Sequence, residues 1–184
     1  TAADPVVGPK NGSLYIVGGG RLPDTMIQRF IEMAGGPEAE IVVVPTAGGA
    51  LTYNDASCEI FRASGAKKVS LLHTVDRERA DNAAFSKALT TANAVWFHGG
   101  RQWRLVDAYK DTLTEKRFHQ VLERGGVIGG SSAGATIQGS YLVRGDTRNN
   151  QIMMGDHEVG FGFMKNTAID QHVIARNRHF DIFE

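Results

Sequence analysis

The apolar residues of this chain fall into short unbroken runs, and the stretches between them carry a helical period. Leu14-Tyr15-Ile16-Val17, Ile41-Val42-Val43-Val44, residues 69–72 and Ala94-Val95-Trp96-Phe97 each read as a buried strand. A fifth, Gly126-Val127-Ile128, leads into Gly129-Gly130-Ser131-Ser132-Ala133-Gly134-Ala135. Pro23 and Asp24 open a helix through Met26, Ile27, Phe30, Ile31 and Met33, which Gly35-Gly36-Pro37 stops. Further helices are expected up to about Gly65 and over residues 82–91, 102–109 and 115–124. A strand-like run follows over residues 168–173, and the last eight residues, 177–184, read as part of a helix. Residues 1–12 look like a loose polar leader, and 13–184 a single α/β domain.

Strands that are continuously apolar and alternate with helices must be buried on both faces. The expected fold is therefore a doubly wound, mostly parallel sheet of the flavodoxin-like type, in three α/β/α layers. Ligands in such sheets bind beyond the carboxyl ends of the strands. Three glycine turns, at 18–20, 99–100 and 129–134, would share that edge.

Composition narrows the function without naming it. The 184 residues hold 20 Lys plus Arg against 20 Asp plus Glu, so no basic surplus points to nucleic acid. No apolar run is long enough to span a bilayer as a helix. The one cysteine, Cys58, allows neither an internal disulfide nor a cysteine metal site, and is expected to be a small buried hydrophobe. Gly18-Gly19-Gly20 lacks the spacing of a dinucleotide fingerprint, and no P-loop lysine follows. It reads as a tight strand-to-helix turn, and no cofactor is expected. The start Thr1-Ala2-Ala3, without Met, leaves a cytoplasmic or a secreted or periplasmic location open.

Chemistry enters with G-x-S-x-G, read as Gly130, Ser132 and Gly134. In that pattern a serine sits on a strained strand-to-helix turn with its hydroxyl exposed. The amide after it, that of Ala133, then faces a developing oxyanion. In His98-Gly99-Gly100-Arg101-Gln102 a second glycine turn would aim the Gly100 amide at the same space, with Gln102 opening the next helix.

A serine hydroxyl needs a base. His73, His98, His119, His157, His172 and His179 are available; His119 is expected to face solvent. His172 stands out because the run Ala168-Ile169-Asp170-Gln171-His172 delivers three polar residues at a strand end. His172 and His179 lack a third metal ligand, so no metal is expected.

These residues carry a resemblance. Gly-x-Ser-Ala-Gly-Ala together with Asp-Gln-His followed by Arg-x-Arg resembles the cyanophycinase and dipeptidase E family of serine peptidases, family S51. Its fold is like that of the class I glutamine amidotransferases. The resemblance implies Ser132 as nucleophile, His172 as general base, and an oxyanion amide at Gly100. It further implies Gln102, Asp170, Gln171 and Arg178 as substrate-binding residues, with Arg176 a weaker candidate. The substrate would be a small peptide or cyanophycin-like chain cut beside aspartyl residues, including β-linked Asp-Arg units, by a homodimer.

Two departures qualify it. Arg101 replaces the Asp or Asn usual beside Gln, at a substrate-binding position. The triad acid is not set by a motif: Asp146 has a family-like spacing, with Asp156 and Glu158 as rivals. Relatives also continue past Glu184. A catalytically inactive, amidotransferase-like domain that binds a ligand or partner is the alternative to a peptidase.

Overall fold

A computed structural model describes residues 6–183. Five strands form the central sheet: β1 (Ser13–Val17), β2 (Glu40–Val44), β3 (Lys68–Leu71), β4 (Ala94–Phe97) and β5 (Val127–Ser131). All pair in parallel, in the order β1-β5-β4-β2-β3. The order reverses around β5 and β4, so the carboxyl ends of β1, β5 and β4 lie side by side. Register puts Val17 opposite Ser131 and Phe97 opposite Gly130. Ser132 therefore emerges one residue beyond the centre of that edge.

Successive side chains on a strand point to opposite faces, and β2 shows the result. Ile41 and Val43 pack with Phe30, Ile31, Phe61 and Trp96, under α1 (Asp24–Ala34) and α2 (Glu59–Ala63). Val42 and Val44 pack with Phe97, Leu105, Tyr109, Phe118 and Val121, under α4 (Gln102–Tyr109) and α5 (Leu113–Glu123). The short helix α3 (Arg77–Ala80) adds Ala80 to the second cluster. The aromatic centre of the first is tight, with the Phe30 and Trp96 rings 5.0 Å apart and edge to face. Cys58 is fully buried there, as its composition suggested.

Several expectations shift. Residues 82–91 form only turns and a 3₁₀ segment, Lys87–Thr90, because the Asn82 side chain caps the amides of Ala84 and Phe85 and holds a turn. His119 is half-buried, its ring 4.7 Å from that of Phe163, and burial pushes its pKa down. The expected final helix over 177–184 does not form among the described residues, where turns lead into one 3₁₀ turn, Asp181–Phe183. The leader is not wholly loose: the Val7 carbonyl accepts from the Lys165 amide, while residues 1–5 lie outside the described residues.

After Ser132 come α6 (Ala133–Thr136) and a two-stranded parallel sheet, β6 (Gly139–Tyr141) with β7 (Met164–Ala168). β7 ends at Ala168, so Asp170-Gln171-His172 forms no strand and turns back over the central sheet. None of the described helices is long and apolar enough to cross a membrane.

Candidate active site

Ser132 has φ 57° and ψ −113°, a conformation that L-residues rarely adopt. It persists because its surroundings over-determine it. The Ser132 amide donates to the Val17 carbonyl (2.9 Å), and its own carbonyl accepts from the amides of Ala135 and Thr136. The glycines of G-x-S-x-G have a steric reason. A Cβ on Gly130 would stand 2.2 Å from the Gly134 carbonyl oxygen, and one on Gly134 would stand 2.1 Å from that of Phe97. Backbone passes too close to backbone for any side chain.

The next two residues of the β1 edge place the histidine. The His172 amide donates to the Gly18 carbonyl (2.9 Å), and His172 itself sits at φ 52°. A Cβ on Gly19 would lie 2.3 Å from His172 Cε1, so the imidazole occupies the space that a side chain there would fill. Val17, Gly18 and Gly19 thus seat Ser132 and His172 in succession, and His172 Nε2 comes 2.9 Å from Ser132 Oγ. Sequence reading took Gly18–Gly20 for an ordinary turn. Its cue, three glycines at a strand's carboxyl end, says nothing of a residue 153 positions downstream.

Burial, then the charges of Arg176 and Arg178, lowers the His172 pKa. The ring is therefore biased toward its neutral, proton-accepting form. No carboxylate oxygen lies within ion-pair distance of either ring nitrogen among the described residues. Asp146, expected to orient the ring, makes no side-chain bond to His172 among the described residues. Its carboxylate accepts from the Arg148 amide (2.8 Å) and guanidinium (3.1 Å), which holds its pKa below the usual carboxylate range. Asp156 is bound to Thr147 and His157 instead, and Glu158 makes no side-chain bond to His172.

A second neighbour claims the serine. Gln102 Nε2 donates to the Val143 carbonyl (2.8 Å), and Gln171 Nε2 donates to Gln102 Oε1 (3.2 Å). A carbonyl can only accept, so this chain has one direction. It leaves Gln171 Oε1 facing Ser132, whose hydroxyl donates to it. Ser132 Oγ thus has two side-chain neighbours, the Gln171 amide oxygen and His172 Nε2.

The remaining expected substrate residues are mostly struts. Gln102 and Gln171 are buried with both amide ends engaged. Both carboxylate oxygens of Asp170 are taken by Arg144, at 2.7 and 2.9 Å, so Asp170 does not face a substrate. Arg178 is buried and donates to the Gln171 and Asn150 carbonyls. Arg101 reaches the Asp146 carbonyl. Buried Nε–H groups of Arg101 and Arg178 find no acceptor among the described residues. Arg144, missed in sequence, is the residue that takes both Asp170 oxygens and also meets Asp181. Its pairing across 26 and 37 positions leaves no local signal.

The two amides expected to meet an oxyanion, those of Gly100 and Ala133, lie just beyond the carboxyl ends of β4 and β5. Gly99 packs beside Ser132, since a Cβ on it would lie 3.2 Å from Ser132 Cβ. Gly100, at φ 144°, presses on the Ala47 carbonyl. Neither the Gly100 nor the Ala133 amide has a protein acceptor among the described residues. A cavity of about 680 Å³ lined by Tyr53, His73 and Phe85 shares no lining residue with this constellation. One of about 540 Å³, lined by Gly20, Arg21, Ser64 and His98, adjoins it through Gly19 and Gly99.

The model of peptidase family S51 matches residues 14–182. The cyanophycinase of Geminocystis herdmanii (strain PCC 6308) is 32% identical over 158 residues, covering 83% of this chain and 58% of that protein. That of Nostoc sp. (strain PCC 7120) is 29% identical over 160 residues, covering 83% and 53%. The chain thus spans little more than half the length of these relatives. The crystal structure of a peptidase from an acI-B1 Actinobacterium superposes with a TM-score of 0.70 at 25% identity, covering 94% of this chain and 71% of that one. With the match running from β1 to the last turn, this chain belongs to peptidase family S51.

Proposed function

We propose that this chain carries the catalytic machinery of a serine peptidase that hydrolyses peptides at aspartyl residues. The observation that carries the reading is Ser132 Oγ, held on a strained turn 2.9 Å from the nitrogen of a histidine biased toward its neutral form. Ser132 attacks the peptide carbonyl while His172 takes its proton and returns it to the leaving amine. The amides of Gly100 and Ala133 receive the negative charge of the tetrahedral intermediate. The backbone of Gly18 and Gly19 orients the imidazole, in the place of a carboxylate.

An acidic substrate is supported by unmatched positive charge. Arg21 and Arg176 are exposed without an ion-pair partner among the described residues, and two buried guanidinium N–H groups lack acceptors. Guanidinium forks are suited to carboxylates. The relatives named as cyanophycinases make β-linked Asp-Arg the first substrate to try.

A panel of β-Asp-Arg, α-Asp-X and neutral dipeptides tests specificity, and fluorophosphonate labelling tests the nucleophile. Ser132→Ala is expected to abolish labelling and to lower turnover by a factor on the order of 10⁶. Retention of more than about a hundredth of the wild-type rate would refute the assignment. A wild-type protein that neither labels nor cleaves would indicate a binding domain.

A further inference from the structure

We infer that Arg144 is a positioning residue, a buried clamp that holds the Asp170–His172 segment in register with Ser132. This deepens the reading of Ser132 and His172 as the reacting pair and rests on it. Arg144 is completely buried, at φ 57°, just beyond β6, with its amide bonded to the Met153 carbonyl. Its guanidinium forks onto Asp170 through Nε (2.7 Å) and Nη2 (2.9 Å), and Nη2 also meets Asp181 (2.8 Å). Nη1 reaches the Asn150 carbonyl at 3.4 Å.

Each partner leads to the reacting atoms. Asp170 Oδ1 accepts from the Gln171 amide (2.8 Å), and Gln171 and His172 are the two side chains that touch Ser132 Oγ. Asp181 lies on the far side of the same segment, so Arg144 grips both ends of the turn that presents the imidazole. Arg178 adds a parallel hold on the Gln171 carbonyl, and like Arg144 it reaches Asn150. The cluster of Arg144, Arg178, Asp170 and Asp181 has no net charge, which is what permits such burial. A planar fork fixes the angle of its partner as well as the distance, which an ammonium on a flexible stem does not. Because Asp170-Gln171-His172 is an irregular turn beyond β7, no ladder of backbone bonds does this work.

Fluorophosphonate labelling of Ser132 measures the consequence without a known substrate. In folded Arg144→Gln the limiting labelling rate should fall by about a hundredfold, the scale of a misplaced catalytic group. The concentration giving half that rate should stay within about threefold, since the oxyanion amides are untouched. Arg144→Lys should recover part of the rate by restoring charge without the fork. A purely structural role predicts a lower melting temperature with an unchanged limiting rate. A loss smaller than about fivefold in folded Arg144→Gln overturns the inference. If that variant does not fold, Arg144→Lys is judged by the same limit. Ser132→Ala run in parallel separates the two readings: residual labelling there refutes the nucleophile, whereas silence there with full labelling of Arg144→Gln refutes only the clamp.

Discussion

The imidazole of His172 rests against Gly19, so closely that a Cβ at residue 19 would stand 2.6 Å from Nδ1 and 2.7 Å from Nε2. A glycine at the carboxyl end of the first strand is thereby part of the seat of the Ser132–His172 pair. Gly19→Ala should displace the ring and cost about a hundredfold or more in peptidase rate, the scale of a 1 Å misplacement. Thermal melting and labelling kinetics on the same sample would check it. A folded Gly19→Ala protein with near wild-type labelling would show that the ring finds another seat.

The acid side of the pH profile follows from the surroundings of His172. Burial and the charges of Arg176 and Arg178 favour the neutral ring, so its pKa lies below the usual value. In the proposed mechanism the neutral ring is the base, so activity should persist to lower pH than an ordinary histidine of pKa about 6.5 would allow. Arg176→Gln removes one of the repelling charges and should move the acid limb of kcat/KM upward. A wild-type limb above pH 7 would contradict this account, as would a limb insensitive to Arg176→Gln.

Asp146 separates motif spacing from geometry. Where an aspartate does orient a catalytic histidine, replacing it by asparagine costs about 10⁴ in rate. Here the carboxylate serves Arg148, so Asp146→Asn should keep activity within about tenfold of wild type. Steady-state kinetics of the purified variant decide between the two, and a loss of about 10⁴ would restore Asp146 as the acid.

Phe118 anchors the second helical layer to the sheet. It is fully buried, with ring centroids 5.0 Å from Phe97, 5.7 Å from Tyr109 and 5.8 Å from Phe161. Phe118→Ala should destabilise the domain by about 3–5 kcal/mol. Urea denaturation measures this directly, and a cost below about 1 kcal/mol would mean that the site collapses around the void.

Much of the architecture was legible because its signals are local. Val42 and Val43 lie in one apolar run, and only a strand covered on both faces can bury both. Met26, Ile27, Phe30 and Ile31 share one helical stripe, and α1 formed there. Residues 82–91 misled because Asn82 turns its side chain onto its own backbone, a competition that apolar period does not reveal. His119 misled for the opposite reason: its neighbours in sequence are charged, but Phe163 reaches it from a distant segment.

By itself, the sequence determined the parallel sheet and the serine turn, while it offered six histidines and only a polar run and a resemblance to favour His172. These follow from apolar runs, from steric demands on glycine and from a motif whose spacing is short. Only the tertiary structure decided what surrounds that pair. Gly19 under His172, the directed chain from Val143 through Gln102 and Gln171 to Ser132, and the Arg144 clamp join segments far apart in the chain. Hydrogen-bond direction, burial and close approach act between such segments only once the sheet has brought them to one edge. Spacing along the chain suggested Asp146 for the triad acid, and only the folded chain shows its carboxylate bonded to Arg148.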